Sequence, residues 1–311
     1  MERYLKLRAH GKINLGLDVT GRREDGYHLV RMVMQSVGLY DTVELKVKDE
    51  EGITLENSLP FLPADETNLA YRAAKILMDE FQVKEGLHIR IGKFIPVAGG
   101  MAGGSTDAAA VLYGVNRMFA LGLSRKELME RGLRLGADVP YCIMRGTALA
   151  EGIGEILTEL PPMPGCRILI AKPAFSVSTK EIYTKLDRLM PPPEDHSEEA
   201  EAFRAMGPDT EGLLSALSAG DLGELVRCMG NTLECVTAPM HPEIPAIEEA
   251  MVSLGAARAM MSGSGPTVFG IFDDEDRAQA ALRALRARAE EYQVRQVYLT
   301  EPYQPGNRRK G

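Results

Sequence analysis

A glycine-rich run from Pro96 to Thr106 is the part of the sequence whose residue types most directly suggest chemistry. Four glycines in the run let backbone N–H groups come close to a ligand, and a strand pattern precedes it while a helix pattern follows. The positive end of that helix would face the bound group, which suits a polyphosphate. The run matches neither the Walker pattern nor the dinucleotide fingerprint. A merely flexible loop would have the same composition, so the phosphate hypothesis needs other support.

A carboxylate and an amine elsewhere in the chain have the chemistry that phosphoryl transfer requires. Such a transfer needs a carboxylate to accept the proton of the acceptor hydroxyl and cations to offset the developing charge. Asp138 lies between a turn and an apolar segment, and Lys12 lies near the start of the chain with Asn14 close by. Taken singly, each is more often a solvated charge or part of an exposed ion pair. Distance in sequence does not prevent proximity in space, so Asp138 and Lys12 are candidates.

A second segment rich in glycine and hydroxyl groups runs from Ser262 to Val268, between two apparent strands. Its simplest interpretation is a tight hairpin. Its functional interpretation is a second backbone wall that closes over the phosphates from the other domain. The active site would then lie at a domain interface.

Three further side chains could recognise an aromatic base. Tyr27 and Tyr183 could stack on it, and His28 could bond its edge. Each of them alone is more often a core or surface residue. Nothing near His28 in the sequence supplies a second metal ligand, so we do not expect histidine to bind a metal.

Composition narrows the classes of function. The 311 residues, 45% hydrophobic and 26% charged, are enough for two domains with their own cores. A net charge of −8 opposes nucleic-acid binding, and the basic end at Arg308, Arg309 and Lys310 is too short to reverse it. We find no signal-peptide pattern and no run long enough to span a membrane, so we expect a cytoplasmic enzyme. The four cysteines have neither zinc-site spacing nor the density of a disulfide scaffold.

Hydrophobic periodicity predicts the elements that position these residues. In the first half they are a hairpin that turns at 21–26, a helix over 68–81 and a strand over 87–91. The glycine-rich run lies between this strand and a further helix. Ser105, Thr106 and Asp107 are available as the cap and first turn of that helix.

The prolines between Glu159 and Gly165 interrupt the pattern, and we place a linker there. The second half is predicted to contain a strand over 167–171, helices over 179–190 and 244–254 and near Leu213 and Leu225, strands near Met260 and Val268, a helix over 274–291 and a strand over 294–299. This order resembles an elaborated split β-α-β arrangement, and thus an α+β fold. The prolines at 191–193 and the acidic residues after them are expected to form an exposed loop.

Three glycine motifs in order, Gly11–Leu15, Pro96–Ala110 and Ser262–Val268, resemble the signature of the GHMP kinase superfamily. The resemblance implies an α+β fold with two domains. It assigns residues 1–160 to an N-terminal ATP-binding domain of a type also found in a ribosomal protein, residues 161–300 to a ferredoxin-like C-terminal domain, and residues 301–311 to a tail.

Within the superfamily, Ala9–His28, Ala137–Tyr141 and Ala150–Glu155 closely resemble a branch that phosphorylates a cytidine diphosphate-linked methylerythritol. The resemblance implies that ATP donates its γ-phosphate to the C2 hydroxyl of this small molecule, in the non-mevalonate route to isoprenoid precursors. It assigns catalysis to Asp138 as general base and Lys12 as its charged partner. It assigns substrate binding to Asn14, Tyr27, His28, Asp138, Thr179 and Tyr183, with the two tyrosines sandwiching the cytosine and His28 bonding it.

ATP and Mg²⁺ are the implied cofactors, and Ser105 is a candidate Mg²⁺ ligand. The implied ATP-binding residues are Asn68, Pro96, Ala98, Gly99, Gly100, Met101, Ala102, Gly103, Gly104, Ser105 and Thr106. Two residues depart from the family pattern: Ala102 replaces a usual glycine, and Tyr183 stands where some members have Phe. An alanine at position 102 requires a backbone compatible with a Cβ, so a positive φ there would be strained.

Two other classes of function stay open at this point. One is another GHMP kinase that acts on homoserine or a mevalonate-type acceptor, neither of which has a base to stack on Tyr27 or Tyr183. The other is a non-catalytic nucleotide-binding module or an RNA-binding domain, which the acidic net charge and the presence of Lys12 and Asp138 disfavour. The sequence does not indicate an oligomeric state.

Overall fold

The structure is a computed structural model that describes residues 2–192 and 194–306. Pro193 and residues 307–311 lie outside the described residues, and with them the predicted basic end and part of the predicted tail. The chain forms two compact units. The first comprises the chain up to Gly11 together with residues 39–97 and 102–145, and the second comprises residues 12–38, 98–101 and those from Gly146 onward.

Two long strands, β1 (Tyr4–Arg22) and β2 (His28–Lys48), open the fold and supply residues to both units. The turn between them is closed by hydrogen bonds from the Arg23 N–H to the Tyr27 carbonyl (2.7 Å) and from the Gly26 N–H to the Arg23 carbonyl (3.0 Å). The predicted hairpin is therefore confirmed. The division into domains at residues 1–160 and 161–300 stays a prediction. The two compact units follow a different division, because each consists of several separate segments of the chain.

The first unit contains a sheet with helices packed on one another. Its further elements are β3 (Ile53–Asn57), α1 (Leu69–Glu80), β4 (Gly86–Gly92), α2 (Gly103–Met118), α3 (Arg125–Leu133) and α4 (Asp138–Met144). In this unit β2 pairs antiparallel with β4, and β4 pairs parallel with β3. The alternating side chains of Leu87, Ile89 and Ile91 on β4 are buried, as are Leu77 on α1 and Leu112 on α2. The predicted helix over 68–81 and strand over 87–91 are confirmed.

The second unit is built around a four-stranded antiparallel sheet. Its elements in chain order are β5 (Thr147–Glu151), β6 (Ile156–Glu159), β7 (Arg167–Pro173), α5 (Thr179–Leu186), α6 (Glu198–Ala205), α7 (Thr210–Ala219), α8 (Leu222–Cys228), β8 (Gly230–Asn231), α9 (Glu234–Met240), α10 (Glu243–Ser253), β9 (Arg258–Met261), β10 (Val268–Phe272), α11 (Glu275–Ala287) and β11 (Val294–Thr300). The four strands lie in the order β11-β7-β10-β9. Helix α11 connects β10 to β11 with β7 between them, which is the predicted split β-α-β arrangement of a ferredoxin-like domain.

Short strands extend the two long ones within the second unit. Strand β5 pairs antiparallel with β2, with Met32 opposite Ala150, and β6 pairs with β5. Strand β8 pairs parallel with β1, with Gly16 opposite Gly230. These pairings were not predicted, because strands of two to five residues give little periodicity to detect.

The acidic segment after the prolines is partly helical, so the predicted exposed loop is wrong for residues 198–205. The Ser197 side chain accepts a hydrogen bond from the Ala200 N–H and caps α6. Glutamates in the first turn of α6 interact favourably with the helix dipole, which stabilises a helix that the apolar pattern alone does not indicate. Across the described ranges 2–192 and 194–306, no helix is both long and apolar enough to cross a membrane.

We expect Gly86→Ala to destabilise the protein by about 2 kcal/mol or more, as measured by urea unfolding. A Cβ at Gly86 would lie 1.9 Å from the Glu50 carbonyl oxygen and 2.8 Å from that of Gly52, so the backbone must move. The matched control is Gly165→Ala, because a Cβ at Gly165 has no neighbour within 4 Å. Equal stability of the two variants would contradict the close approach at Gly86.

Candidate functional site

The backbone of the glycine-rich run is bent by residues with positive φ. The φ angles are 51° at Ala98, 73° at Gly100 and 57° at Ala102, so every second residue is left-handed. Alternation of left-handed with other conformations turns successive N–H groups toward one side, which makes a concave anion site. The run therefore has the backbone form expected of a phosphate-binding loop.

Helix α2 continues directly from this run and adds its own free N–H groups. Its first intrahelical hydrogen bond joins the Thr106 N–H to the Ala102 carbonyl (2.9 Å). The N–H groups of Gly103, Gly104 and Ser105 precede that bond and have no intrahelical acceptor. They carry the positive end of the dipole of a 16-residue helix. A phosphate group is the type of ligand that such an end binds.

The predicted cap of α2 is wrong. The helix begins at Gly103 with Ala102 as its N-cap and without a side-chain capping hydrogen bond, three residues earlier than a cap at Ser105 allows. The Thr106 hydroxyl donates to the His10 carbonyl (2.7 Å) and is buried. Both hydrogen-bond donors of Thr106 are thus used within the protein. The sequence misplaced the helix start because glycines rarely occupy a first turn.

Ala102 occupies the left-handed region with φ 57° and ψ 30°. The departure noted in the sequence therefore falls on a position with positive φ. A Cβ in this conformation costs roughly 1–2 kcal/mol, whereas glycine adopts it without that cost. Ala102 thus adopts the left-handed conformation despite its Cβ, and the strain lies in its own backbone.

The second glycine segment contacts the first within the second unit. A Cβ at Gly100 would lie 2.1 Å from the Ser262 carbonyl oxygen, and the Ser262 hydroxyl donates to the Gly100 carbonyl (3.2 Å). The Asn231 side-chain amide donates to the carbonyls of Met261 (2.9 Å) and Gly263 (2.8 Å). Backbone contact and a buried amide thus hold the two segments together. The role of the second segment over the phosphates stays a prediction.

Lys12 and Asn14 lie beside the same two segments. The Lys12 ammonium donates to the Asn14 side-chain oxygen (2.7 Å), and the Lys12 N–H donates to the Met101 carbonyl (3.2 Å). Both side chains are buried, with exposed fractions of 5% and 0%. A Cβ at Gly263 would lie 3.6 Å from the Asn14 oxygen, so the second segment passes directly over Asn14. A buried ammonium beside two glycine loops is suited to a negatively charged ligand.

Two predicted residues of the first unit lie at helix starts. Asp138 is the first residue of α4 and is partly buried, and a carboxylate there interacts favourably with the helix dipole. Asn68 caps α1: its side-chain oxygen accepts from the Ala70 N–H (2.9 Å), and its amide donates to the Pro63 carbonyl (2.8 Å). Capping explains Asn68 structurally, and its approach to adenine stays a prediction.

The residues predicted to bind a base lie in the second unit. The rings of His28 and Tyr183 are 4.5 Å apart between centroids and inclined by 30°. Tyr27, at the hairpin turn, is 61% exposed. The Thr179 and Ser264 hydroxyls are 2.8 Å apart, so Thr179 contacts the second glycine segment. The structure thus brings His28 to Tyr183 and Thr179 to Ser264.

One residue of this group was missed by the sequence interpretation. Asp187 Oδ1 lies 2.6 Å from His28 Nε2. Asp187 follows Tyr183 by four residues on the helix predicted over 179–190, and this spacing places two side chains on one helix face. That spacing was the signal that could have identified Asp187.

A buried cluster lies where β4 leads into the glycine-rich run. Lys93 Nζ donates to Asp41 and, at 2.7 Å, to Asp107 Oδ2, and each of the three side chains is 5% exposed or less. The N–H groups of Phe94 (2.5 Å) and Ile95 (2.8 Å) donate to Asp41 Oδ1. Asp107 Oδ1 has no partner within the part of the chain that the structure describes. One ammonium therefore faces two carboxyl groups, of which Asp41 accepts the larger number of hydrogen bonds.

The pKa values of this cluster follow from that arrangement. Burial raises the pKa of Asp107 to about 8, and Lys93 offsets only part of the effect because Asp41 shares the same ammonium. Burial lowers the pKa of Lys93, but the two carboxyl groups outweigh it, so that pKa lies above its ordinary value. At neutral pH Asp107 is therefore mostly protonated, while Lys93 stays an ammonium.

A pair of half-buried acids supports the Ser262 segment. Glu234 Oε1 accepts from the Met261 N–H (2.5 Å), directly before that segment. Burial raises the pKa of Glu234, and burial together with Glu234 raises the pKa of Glu248 to about 9. A protonated Glu248 can donate to Glu234 and so keep its carboxylate in place. This pair was not predicted, because acidic side chains on helices are usually solvated.

The described residues contain no group of three or more His, Cys, Asp or Glu side chains that could hold a metal ion. Mg²⁺ bound with nucleotides takes one or two protein ligands and several phosphate and water oxygens. The hydroxyl of Ser105, in the first turn of α2, is an oxygen donor of the kind that Mg²⁺ accepts.

Comparisons with known proteins agree with a kinase fold. Two family descriptions match the chain: GHMP kinases N terminal domain over residues 68–146 and GHMP kinases C terminal over residues 213–291. A 4-diphosphocytidyl-2-C-methyl-D-erythritol kinase of Lachnospira eligens is 50% identical over 301 residues, which cover 97% of this chain and 99% of that protein.

Solved structures give the same result at lower identity. The crystal structure of a 4-(cytidine 5'-diphospho)-2C-methyl-D-erythritol kinase matches with a TM-score of 0.76 at 30% identity, over 96% of this chain and 100% of that one. The structure of a homoserine kinase from Cytophaga hutchinsonii matches with a TM-score of 0.75 at 19% identity, over 96% of this chain and 95% of that one. The second likeness shows a shared fold alone.

We expect Ala102→Gly to stabilise the protein by about 1 kcal/mol, measured as a shift of the urea midpoint, because glycine removes the left-handed strain. Ala109→Gly is the matched control, since Ala109 lies buried inside the same helix. That variant should lose about 1 kcal/mol or more. Destabilisation by both changes would mean that position 102 does not need a positive φ.

We expect the stability advantage of Asp107→Asn over the wild type to grow as pH rises from about 4 to about 8. In that window the unfolded chain has an ionised Asp107 while the folded chain keeps the proton, so the wild type binds more protons when folded and loses stability. The slope of the difference should approach about 1.4 kcal/mol per pH unit. Urea unfolding at several pH values measures it, with exposed Asp79→Asn as control. A difference that stays constant with pH would refute the protonated cluster.

Proposed function

The chain belongs to the GHMP kinases and, within them, to the 4-diphosphocytidyl-2-C-methyl-D-erythritol kinases, and from this premise we propose how it carries out that reaction. It uses ATP to phosphorylate the C2 hydroxyl of 4-diphosphocytidyl-2-C-methyl-D-erythritol and yields the 2-phosphate and ADP. The reaction belongs to the methylerythritol phosphate route to isoprenoid precursors. One observation supports the ATP-binding part of this proposal: the bent run of Ala98, Gly100 and Ala102 leads directly into the first-turn N–H groups of α2.

The backbone supplies most of the phosphate binding in this proposal. The N–H groups of Gly103, Gly104 and Ser105 bind oxygens of the transferred and bridging phosphates, and the loop from Pro96 to Ala102 surrounds them. In phosphoryl transfer there is little covalent work for a protein to do, so positioning and charge stabilisation dominate. Mg²⁺, held by the Ser105 hydroxyl and phosphate oxygens, would neutralise charge on those oxygens.

Asp138 is the proposed general base. Its carboxylate accepts the proton of the C2 hydroxyl as the new oxygen–phosphorus bond forms and the bond to the leaving ADP oxygen breaks. Lys12 is its proposed charged partner, and its ammonium offsets the negative charge that develops in the transition state. Asn14 fixes the Lys12 ammonium through its side-chain oxygen and orients the acceptor.

The far end of the acceptor is recognised as a base in this proposal. Tyr27 and Tyr183 stack on the cytosine, His28 bonds its polar edge, and Thr179 helps to hold this end of the substrate. The high exposure of Tyr27 is consistent with a side chain that becomes covered only when the base binds. Because ATP is the donor, we propose that the reaction takes place in the cytoplasm.

A second candidate is phosphorylation of homoserine or mevalonate, which the fold alone would allow. The pairing of the His28 and Tyr183 rings disfavours it, because those acceptors have no aromatic base. Binding of RNA is disfavoured by the net charge of −8.

Steady-state kinetics with ATP and Mg²⁺ test the proposal. We expect the purified protein to phosphorylate the cytidylyl substrate with a kcat/KM at least about 1,000-fold above that for homoserine or mevalonate, because those acceptors leave the base-binding groups unpaired. Asp138→Asn should lower kcat by about 100-fold or more while ATP still binds, because the proton acceptor is lost. A reversed substrate ranking would overturn the assigned acceptor, and normal turnover by Asp138→Asn would overturn the assigned base.

A further inference from the structure

Asp187 holds the ring of His28, although the roles proposed above do not use it. His28 Nε2 lies 2.6 Å from Asp187 Oδ1, and Arg22 Nη1 lies 3.1 Å from Asp187 Oδ2. The side chains of His28 and Asp187 are only 11% and 23% exposed, so water competes weakly for this hydrogen bond. Both carboxylate oxygens therefore have a fixed partner.

Helix α5 places Asp187 and Tyr183 on one face. Asp187 has helical φ and ψ (−52° and −24°), and its N–H donates to the Tyr183 carbonyl (3.0 Å). Residues four apart in such a geometry have neighbouring side chains. The His28 ring thus meets two side chains of one helix: the Tyr183 ring restrains its plane, and the Asp187 carboxylate restrains its rotation within that plane.

Helix stability does not explain an acid at this position. Asp187 is the C-cap of α5, where the helix dipole is negative and a carboxylate is unfavourable. Its two partners come instead from the hairpin, since Arg22 ends β1 and His28 begins β2. Asp187 therefore binds the two hairpin residues Arg22 and His28, which flank the turn that contains Tyr27.

A carboxylate only accepts hydrogen bonds, so Asp187 determines which nitrogen of His28 carries the proton. Nε2 must be protonated to donate to Asp187 Oδ1. In the neutral ring Nδ1 is then an acceptor. Arg22 pairs with the other carboxylate oxygen, so Asp187 has a cationic partner besides His28.

We propose that Asp187 is a positioning residue that makes His28 Nδ1 a hydrogen-bond acceptor and thereby selects cytosine over uracil in the acceptor substrate. The inference rests on the proposed function, in which His28 bonds the base. Cytosine presents an amino group, which donates, where uracil presents a carbonyl, which only accepts. With cytosine, the acceptor Nδ1 pairs with the amino group. With uracil, Nδ1 faces a carbonyl and both acceptors stay unpaired, a mismatch that strongly discriminates between ligands.

The test compares the cytidylyl substrate with its uridylyl analogue at saturating ATP. We expect the wild type to prefer the cytidylyl substrate, and Asp187→Asn to reduce this preference by about 10-fold or more. The asparagine can turn either its oxygen or its amino group toward Nε2, so the ring is no longer fixed in one tautomer. The KM for the cytidylyl substrate should rise by about the same factor, while the KM for ATP stays unchanged.

Asp187→Glu separates this role from simple packing. Glutamate keeps an acceptor-only group and should restore part of the preference, whereas Asp187→Ala should lose it as Asp187→Asn does. Asp273→Asn is the control, because Asp273 is an exposed carboxylate that pairs with Arg277 in the same unit. That variant should keep wild-type selectivity.

Each alternative result has a distinct meaning. Wild-type selectivity in Asp187→Asn overturns the inference but leaves the proposed function standing, because the wild type still converts the cytidylyl substrate. An equal rise in the KM for ATP would indicate general damage and would also overturn the positioning role. If the wild type converts neither nucleotide-linked substrate, the proposed function itself is wrong, and this inference falls with it.

Discussion

The contact of Gly100 with Ser262 is the constraint on which the candidate site depends. The two residues are 162 positions apart, and the space between their backbones admits no side chain. The path of residues 98–101 is therefore set by a segment from the other end of the chain rather than by its own sequence. That segment is in turn held by hydrogen bonds to Asn231 and Glu234, so the path of the glycine-rich run depends on polar side chains outside the run.

Backbone dipoles explain how an acidic protein can bind a polyanion. The chain has a net charge of −8, and the buried ammonium of Lys93 is already shared by two carboxyl groups. The proposed phosphate contacts are backbone N–H groups of the bent run and of α2, whose partial positive charges bind an anion without a charged side chain. Lys12, held by a neutral amide oxygen, keeps its charge available. The proposed site thus combines oriented backbone amides with the Lys12 ammonium.

The sequence predicted those parts of the structure that hydrophobic periodicity and glycine motifs encode. The helix expected over 68–81 is α1 with Asn68 and Phe81 as its caps, and the split β-α-β order of the second half is observed. The start of α2 was misplaced because its first turn consists of glycines, which favour no helix. The contacts of Asp187 with His28, of Glu234 with Met261 and of Asp107 with Lys93 were not predicted, because each partner comes from another segment of the chain. The roles of the predicted site residues stay predictions.

The two long strands of the opening hairpin also bear on how the chain folds. Strands β1 and β2 supply residues to both compact units, and the second unit draws on residues 12–38 and 98–101 as well as the end of the chain. The first unit draws only on residues up to Arg145, whereas the second is complete only when residues 12–38 and 98–101 have met the chain from Gly146 onward. Such long-range closure gives a high contact order, which slows folding. During synthesis, the first unit therefore has all its residues once Arg145 is made, whereas residues 12–38 and 98–101 must wait for the rest of the chain before the second core can close.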